Sequence, residues 1–230
     1  MRFQHSSSIW RDFPQLVAGA LYADGIAGNV SGNARLAPFT AIAEARLATT
    51  SEGELPEIQA WRRTFARMGL KPTQYRCASE ALLRRFKKEG SLPHIHPLID
   101  LCNAASLASA IPVAVFDVSK IAGHLEVRYA VGDERYETFS GEMENPAAGE
   151  VIFADNAGRA HARRWTNRQS GLSAVGETTT SALIVMEAMH SSAPADVSRL
   201  MATIADELTA VWSLRPKSVI LSASSPRFNF

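Results

Sequence analysis

The chain has 230 residues, 46% of them apolar and 20% charged, with 24 basic and 23 acidic residues and a formal charge of +1. That length suits one large domain or two small fused lobes, and the composition excludes a disordered, collagen-like or coiled-coil chain. Cys77 and Cys102 are too few for a disulfide scaffold or a four-cysteine zinc site and are expected as reduced, buried thiols. The N-terminus has no apolar signal core, and the most apolar stretch, Ala104 to Phe116, is too short to span a bilayer, so a cytoplasmic location without membrane contact is expected.

In chain order, residues 1–50 read as loop and short elements packed on the main body, with Gly25, Gly28 and Gly32 among small residues. Pro56 suits the first turn of a helix, and Ile58, Trp61, Phe65 and Met68 recur at spacings of three and four up to Gly69. A second helix is predicted from about Ala78 to Glu89, with Leu82, Leu83 and Phe86 inward and Gly90 as its stop; Pro97 opens a third, running to about Ala110. After Pro112 the pattern changes to strands. His124 to Val131 alternates, with Leu125, Val127, Tyr129 and Val131 on one face, and ends in a Gly132–Asp133 turn. Glu150 to Ala154, His161 to Trp165 and Ala182 to Glu187 read as further strands. A helix from Pro194 carries the stripe Val197, Leu200, Met201, Ile204, Leu208, Val211 and Trp212, and a short strand follows around Ser218 to Leu221. Helices, then strands, then a helix is the order of an α+β protein.

The near-zero net charge hides an uneven distribution. From Trp61 to Lys88 there are nine basic residues and one acidic residue, Glu80, a local +8, so the 15 basic and 22 acidic residues elsewhere carry −7. A second acid-free stretch, between Asp155 and Glu177, holds Arg159, Arg163, Arg164 and Arg168 around Trp165. The two stretches could form one electropositive face for phosphates; ordinary solvated helix faces are the plainer alternative.

The sequence contains no phosphate-binding glycine loop, nucleophile elbow or metalloprotease helix. His94, His96 and Asp100 could ligate a metal, but no further histidine or cysteine pair lies near them in sequence, and neither a metal nor a cofactor is called for. In HARRWTNRQSG, residues 161–171, arginine forks suit phosphate or carboxylate and an indole offers a stacking face; the alternative is a solvated edge strand with a half-buried tryptophan.

Taken in order, RCASEALLRR (76–85), LPHIHPLIDLCNAASL (92–107), IPVAVFD (111–117), KIAGHLEVRYAVGDE (120–134), GEVIFAD (149–155), HARRWTNRQSG (161–171) and ETTTSALIVMEAM (177–189) resemble the B3/B4 tRNA-binding and editing domain of the bacterial phenylalanyl-tRNA synthetase β-subunit. They resemble its freestanding relatives more closely, with PEIQAWRRTF (56–65) typical of these. The resemblance implies a three-layer β/β/α sandwich, with residues 56–230 as the B3/B4-like domain and 1–55 as an N-terminal extension. It also implies tRNA, through its aminoacylated 3′ end, and an aminoacyl-tRNA synthetase as partners, and does not imply DNA.

In the synthetase, this domain hydrolyses tyrosine wrongly esterified to phenylalanine tRNA, because an apolar pocket cannot strongly reject a near-isostere that adds only a hydroxyl. Asp100, Asn103, Asp117 and Arg128 fall on family positions. Ala114 stands where the synthetase has a pocket histidine, and Thr166, Asn167 and Arg168 stand where it has glycine-glycine-glutamate, so tyrosine editing does not carry over directly. Two readings follow. One is a trans-editing aminoacyl-tRNA deacylase in which Arg164 and Arg168 hold phosphate or oxyanion and Asn103, Gln169 and Ser170 position water. In it Asp117 orients an arginine, acts as a base or caps a strand, with Arg128 as its ion-pair partner. Trp165 is then a stacking surface, with Arg163 beside it, Ala114 in the pocket, and Arg76, Ser79 and Glu80 at its rim. The other reading is a non-catalytic tRNA-binding module, or a small-molecule-binding protein using the same pocket.

Overall fold

The computed structural model describes residues 1–30 and 35–230; Gly32 lies outside them. Among the described residues there are six helices and twelve strands, and most of them build three layers; β5 (Tyr136–Glu137) and β6 (Met143–Glu144) pair apart from these. The outer sheet has six strands in the order β12 (Arg227–Asn229), β1 (Arg2–His5), β4 (His124–Tyr129), β7 (Val151–Asp155), β8 (Ala160–Arg163) and β9 (Arg168–Gln169). The inner sheet has four, β11 (Lys217–Leu221), β2 (Val17–Asp24), β10 (Ser181–Ala188) and β3 (Val113–Asp117), all antiparallel. The third layer is α2 (Ala37–Thr49), α5 (Pro97–Ser109) and α6 (Ala193–Trp212). The expected α+β class and its β/β/α layering are thus the observed ones.

The inner sheet is buried on both faces, and strand periodicity assigns each side chain to a layer. On β10, Leu183 and Val185 face the outer sheet, where they meet Phe3, Val127 and Phe153; Ala182, Ile184 and Met186 face the helices, against Leu98, Leu101, Val197 and Ile204. Glu187 falls on the first of these faces, inside the inter-sheet core. The helices α3 (Pro56–Arg67) and α4 (Ala78–Glu89) close one end of that core with Ile58, Trp61, Phe65, Leu83 and Phe86. Gly90 ends α4 at φ 74°, as its role of stop residue requires.

Three sequence readings need correction. Residues 1–50 are not loop and short elements: β1 pairs with β4 and β12 inside the outer sheet, and β2 pairs with β10 along eight residues and with β11 along five inside the inner one. The strand from His124 stops at Tyr129, and Val131, past it, is exposed. The strand expected over His161–Trp165 ends at Arg163, because Arg164 and Trp165 turn with φ of 46° and 58°. Among the described residues, no helix is long and apolar enough to cross a membrane.

Candidate functional site

A cavity of about 50 Å³ opens where the two sheets part, beneath the β8–β9 turn. Its walls are Val113 and Ala114 of β3, Phe153 of β7, Ala162 of β8, Val185 and Glu187 of β10, Trp165 through Gln169 from the turn, and Ala78 at the start of α4. Arg168 is exposed; its guanidinium lies over the Tyr136 ring and holds Glu144 only loosely, at 3.4 Å.

The turn is what shapes this site. Two consecutive residues at positive φ match the twist of the hairpin they join, at some conformational cost for side chains other than glycine. The result points the Trp165 indole inward, fully buried, edge-on to Trp61 at 5.3 Å and to Phe13 at 4.9 Å. Its Nε1 donates to Glu187 Oε1 at 3.0 Å. Trp165 is therefore a wall of the cavity and not an exposed stacking face. The two basic stretches meet at the same turn: Ala78 N donates to Thr166 O at 2.8 Å, Asn167 Nδ2 donates to the Arg76 carbonyl at 2.7 Å, and the Arg164 guanidinium lies 4.7 Å over the Tyr75 ring.

The expected site residues separate into two groups. Ala114, Trp165, Arg168 and Gln169 line the cavity. Gln169 does not hold water; its Nε2 donates to Val115 O at 2.6 Å and ties the outer sheet to the inner one. Arg164 lies outside the cavity on Tyr75, and Arg76 beside it reaches the Thr73 carbonyl and lies 3.5 Å from Glu80.

The remaining expected residues are engaged within the protein. Ser170 is buried, donating to Glu137 O and accepting from Leu172 N, so it braces a loop. Asn103 sits on α5 and lines no part of the cavity. Asp117 caps the turn after β3, accepting from Ser119 N, Ser119 Oγ and Thr179 Oγ1. Burial opposes its ionisation, but those hydrogen bonds prevail and hold its carboxyl below the usual carboxylate range. Arg128 pairs with Glu134, not with Asp117. Arg163 is buried in a two-pronged pair with Glu150, both at 2.9 Å, and also reaches Glu144, so each of its guanidinium nitrogens is engaged by a carboxylate. Ser79 and Glu80 are fully buried, Glu80 against Arg62 and Arg76, and neither forms a rim.

Elsewhere, His94 bonds Asp100 at 3.2 Å and His96 Nδ1 accepts from Leu98 N at the start of α5; among the described residues no three such side chains cluster as metal ligands. Both cysteines are free and buried, and burial pushes the thiols up to about 11 for Cys77 and about 12 for Cys102, so neither is a nucleophile.

Glu187 was missed by sequence reasoning. It is 2% exposed, accepts from Trp165 and is 2.6 Å from His5 Nε2, while Trp61 Nε1 donates to its backbone carbonyl. A signal was present: an acid in the apolar run ALIVMEAM, on the same strand face as Leu183 and Val185.

Residues 60–207 match the family model of the B3/4 domain, which is more than half of the chain, and the chain therefore belongs to the B3/4 domain family. Within it, a 69-residue stretch is 33% identical to the phenylalanine–tRNA ligase beta subunit of Legionella pneumophila strain Lens and 32% identical to that of strain Paris. Each match covers 30% of this chain and 8% of the relative, so the chain spans a small fraction of the length of the curated relatives it matches. A crystal structure of an N-terminal fragment of the phenylalanyl-tRNA synthetase beta-subunit from Pyrococcus horikoshii is matched at 9% identity and a TM-score of 0.45, over 95% of this chain and 53% of that one.

Proposed function

We propose that this B3/4 protein binds tRNA and hydrolyses the ester of a small amino acid wrongly attached to the 3′ end. Family membership and the local likeness to phenylalanine–tRNA ligase beta subunits support the RNA class. The observation that carries the reading is the placement of the cavity: the seam where the two basic stretches meet, Ala78 against Thr166 and Asn167, is also its rim. Among the described residues, Arg63, Arg67, Lys71, Lys88 and Arg164 of those stretches make no ion pair and remain available to phosphates, whereas Arg62, Arg84, Arg85, Lys87 and Arg159 are taken by carboxylates.

An aminoacyl ester is already activated, so a held water, a positive group for the developing oxyanion and a clamp on the RNA suffice. We assign Arg164 and Arg168 to the clamp on the RNA: the Arg168 guanidinium lies over Tyr136 and beside Glu144, on the opposite face of β9 from Gln169, which reaches the inner sheet. A volume of about 50 Å³ is small beside the roughly 150 Å³ of engineered cavities that take benzene, which favours the side chain of serine, alanine or threonine over a phenyl ring.

The test is a panel of tRNAs charged with alanine, serine, threonine, tyrosine and D-amino acids. Esters of the small amino acids are expected to be lost faster than in buffer and tyrosyl ester at the buffer rate. Loss of no ester above buffer would overturn the deacylase. One observation favours a non-catalytic tRNA-binding module instead: Trp165 fills much of the inter-sheet space. Salt-sensitive tRNA binding without loss of any ester would select it.

A further inference from the structure

We infer that the chain has a second ligand site, a cleft on the outer sheet that takes a small zwitterion, a free amino acid with an apolar side chain. The cleft has a volume of about 560 Å³, within the roughly 300–1,000 Å³ of small-molecule sites, and shares no lining residue with the cavity beneath the β8–β9 turn. It lies between β1, β4, the short helix α1 (Ser7–Asp12) and the loop that leads into β12.

Its charges carry the inference. The register of the outer sheet sets Arg227, Gln4 and Glu126 side by side on β12, β1 and β4. Residues directly opposite share a face of the sheet, so a cation, an amide and a carboxylate stand in one row, with two strand spacings, about 10 Å, between the Cα atoms at its ends. Gln4 Nε2 donates to Glu126 Oε1 at 2.6 Å. Arg227 is exposed and Glu126 half-buried, and among the described residues neither makes an ion pair, with the other or elsewhere. The third charge on the walls, Arg11, is already held by Asp12 at 2.8 Å. Opposite charges kept apart across one cleft match a ligand with opposite charges of its own: its carboxylate turns to Arg227 and its ammonium to Glu126. An anion alone meets repulsion from Glu126, and a cation alone from Arg227.

A second, independent observation lies in the same walls. Gln4 Oε1, His5 Nδ1 and Trp10 Nε1 are buried without a protein partner. His5 is 2% exposed and Trp10 7%, and their rings lie 5.0 Å apart. The indole can only donate, whereas a neutral His5 whose Nε2–H goes to Glu187 at 2.6 Å offers Nδ1 as an acceptor, as Gln4 offers its amide oxygen. Burial without a partner carries an unmet desolvation cost, which pairing with a ligand returns. One donor suits a carboxylate and two acceptors suit an ammonium. Trp10, Ala223 and Pro226 supply apolar contact for the side chain of the amino acid.

The test is isothermal titration calorimetry of the full chain with L-leucine, with leucinamide, which lacks the carboxylate, and with isocaproate, which lacks the ammonium. Saturable binding of leucine is expected, with each analogue at least tenfold weaker, since each loses a charged partner. Glu126→Gln and Arg227→Gln keep the shape of side chains that reach the surface, so their urea midpoints should stay near wild type while leucine binds at least tenfold more weakly. Folded Ala114→Phe protein, altered in the other cavity, is expected to bind leucine as wild type does. No saturable heat with leucine, equal affinity for either analogue, or unchanged affinity in Glu126→Gln or Arg227→Gln would overturn the site. Loss of leucine binding in Ala114→Phe would move the ligand to the cavity beneath the turn and overturn it as well.

Discussion

The Arg164–Trp165 pair shows how one turn serves both packing and binding. Positive φ at a non-glycine residue costs roughly 1–2 kcal/mol, and this turn has two in succession. The compensation at Trp165 is the burial of an indole against Trp61 and Phe13, so Trp165→Ala is expected to lower stability by about 3–5 kcal/mol in urea unfolding. At Arg164 the balance differs. Its guanidinium gains about 0.5–1 kcal/mol from Tyr75, comparable to the backbone cost, so Arg164→Gly is expected to leave stability within about 0.5 kcal/mol. On the proposed function the same variant weakens tRNA binding, read by fluorescence anisotropy. The residue pattern HARRWTNR marked the segment correctly, but the sequence could not indicate which side of the turn the indole takes; that follows from two backbone angles that no residue type there favours.

Elements whose neighbours differ in polarity were legible, and those buried on both faces were not. The helices α3, α4 and α6 showed a 3.6-residue stripe because one side meets water, whereas α5, buried over most of its residues, was marked by Pro97 at its start. β2, VAGALYAD, lies between two apolar layers, so it lacks alternation and resembles a run of small loop residues. Gly19 within it is set by the approach of α6: a Cβ there would lie 2.9 Å from Val197 Cγ1 and 3.0 Å from Met186 Cγ. Gly19→Val is expected to cost about 1–3 kcal/mol through this overpacking, measured as a lower urea midpoint.

The β7–β8 hairpin carries its own pH dependence. Burial opposes ionisation of Asp155, but hydrogen bonds from His161, Ala122 N and Arg159 prevail and hold its carboxyl well below the usual range. A depressed folded-state pKa gives stability that is full above the unfolded value, near 4, and is lost as pH falls through the folded one. The unfolding free energy should therefore decline below about pH 4, and Asp155→Asn should lower stability at neutral pH while flattening that decline.

Across the whole molecule, chain order and spatial order part company. The outer sheet takes its strands from the start, the middle and the end of the chain, with β1 parallel to β4 and antiparallel to β12. Pairings of that range leave no local trace, so the N-terminal strands could not be read as integral. A chain lacking residues 1–55 loses an interior strand of each sheet and is expected not to give a cooperative unfolding transition. Charge was more legible: the +8 stretch and the acid-free stretch do meet, at Tyr75–Ala78 and Arg164–Asn167. If the five unpaired cations contact tRNA phosphates, the logarithm of the association constant should fall with the logarithm of salt at a slope of roughly −3.5.

Ester hydrolysis inside the cavity is the central claim, and blocking that space tests it most directly. Ala114 lines it from β3, and Ala114→Phe puts a ring into about 50 Å³ without touching the basic face. The rate of ester loss from seryl-tRNA, followed with wild type and Ala114→Phe at equal tRNA occupancy, is expected to be above buffer for the first and to fall to the buffer rate for the second. Equal rates for the two would place the chemistry elsewhere and contradict the account.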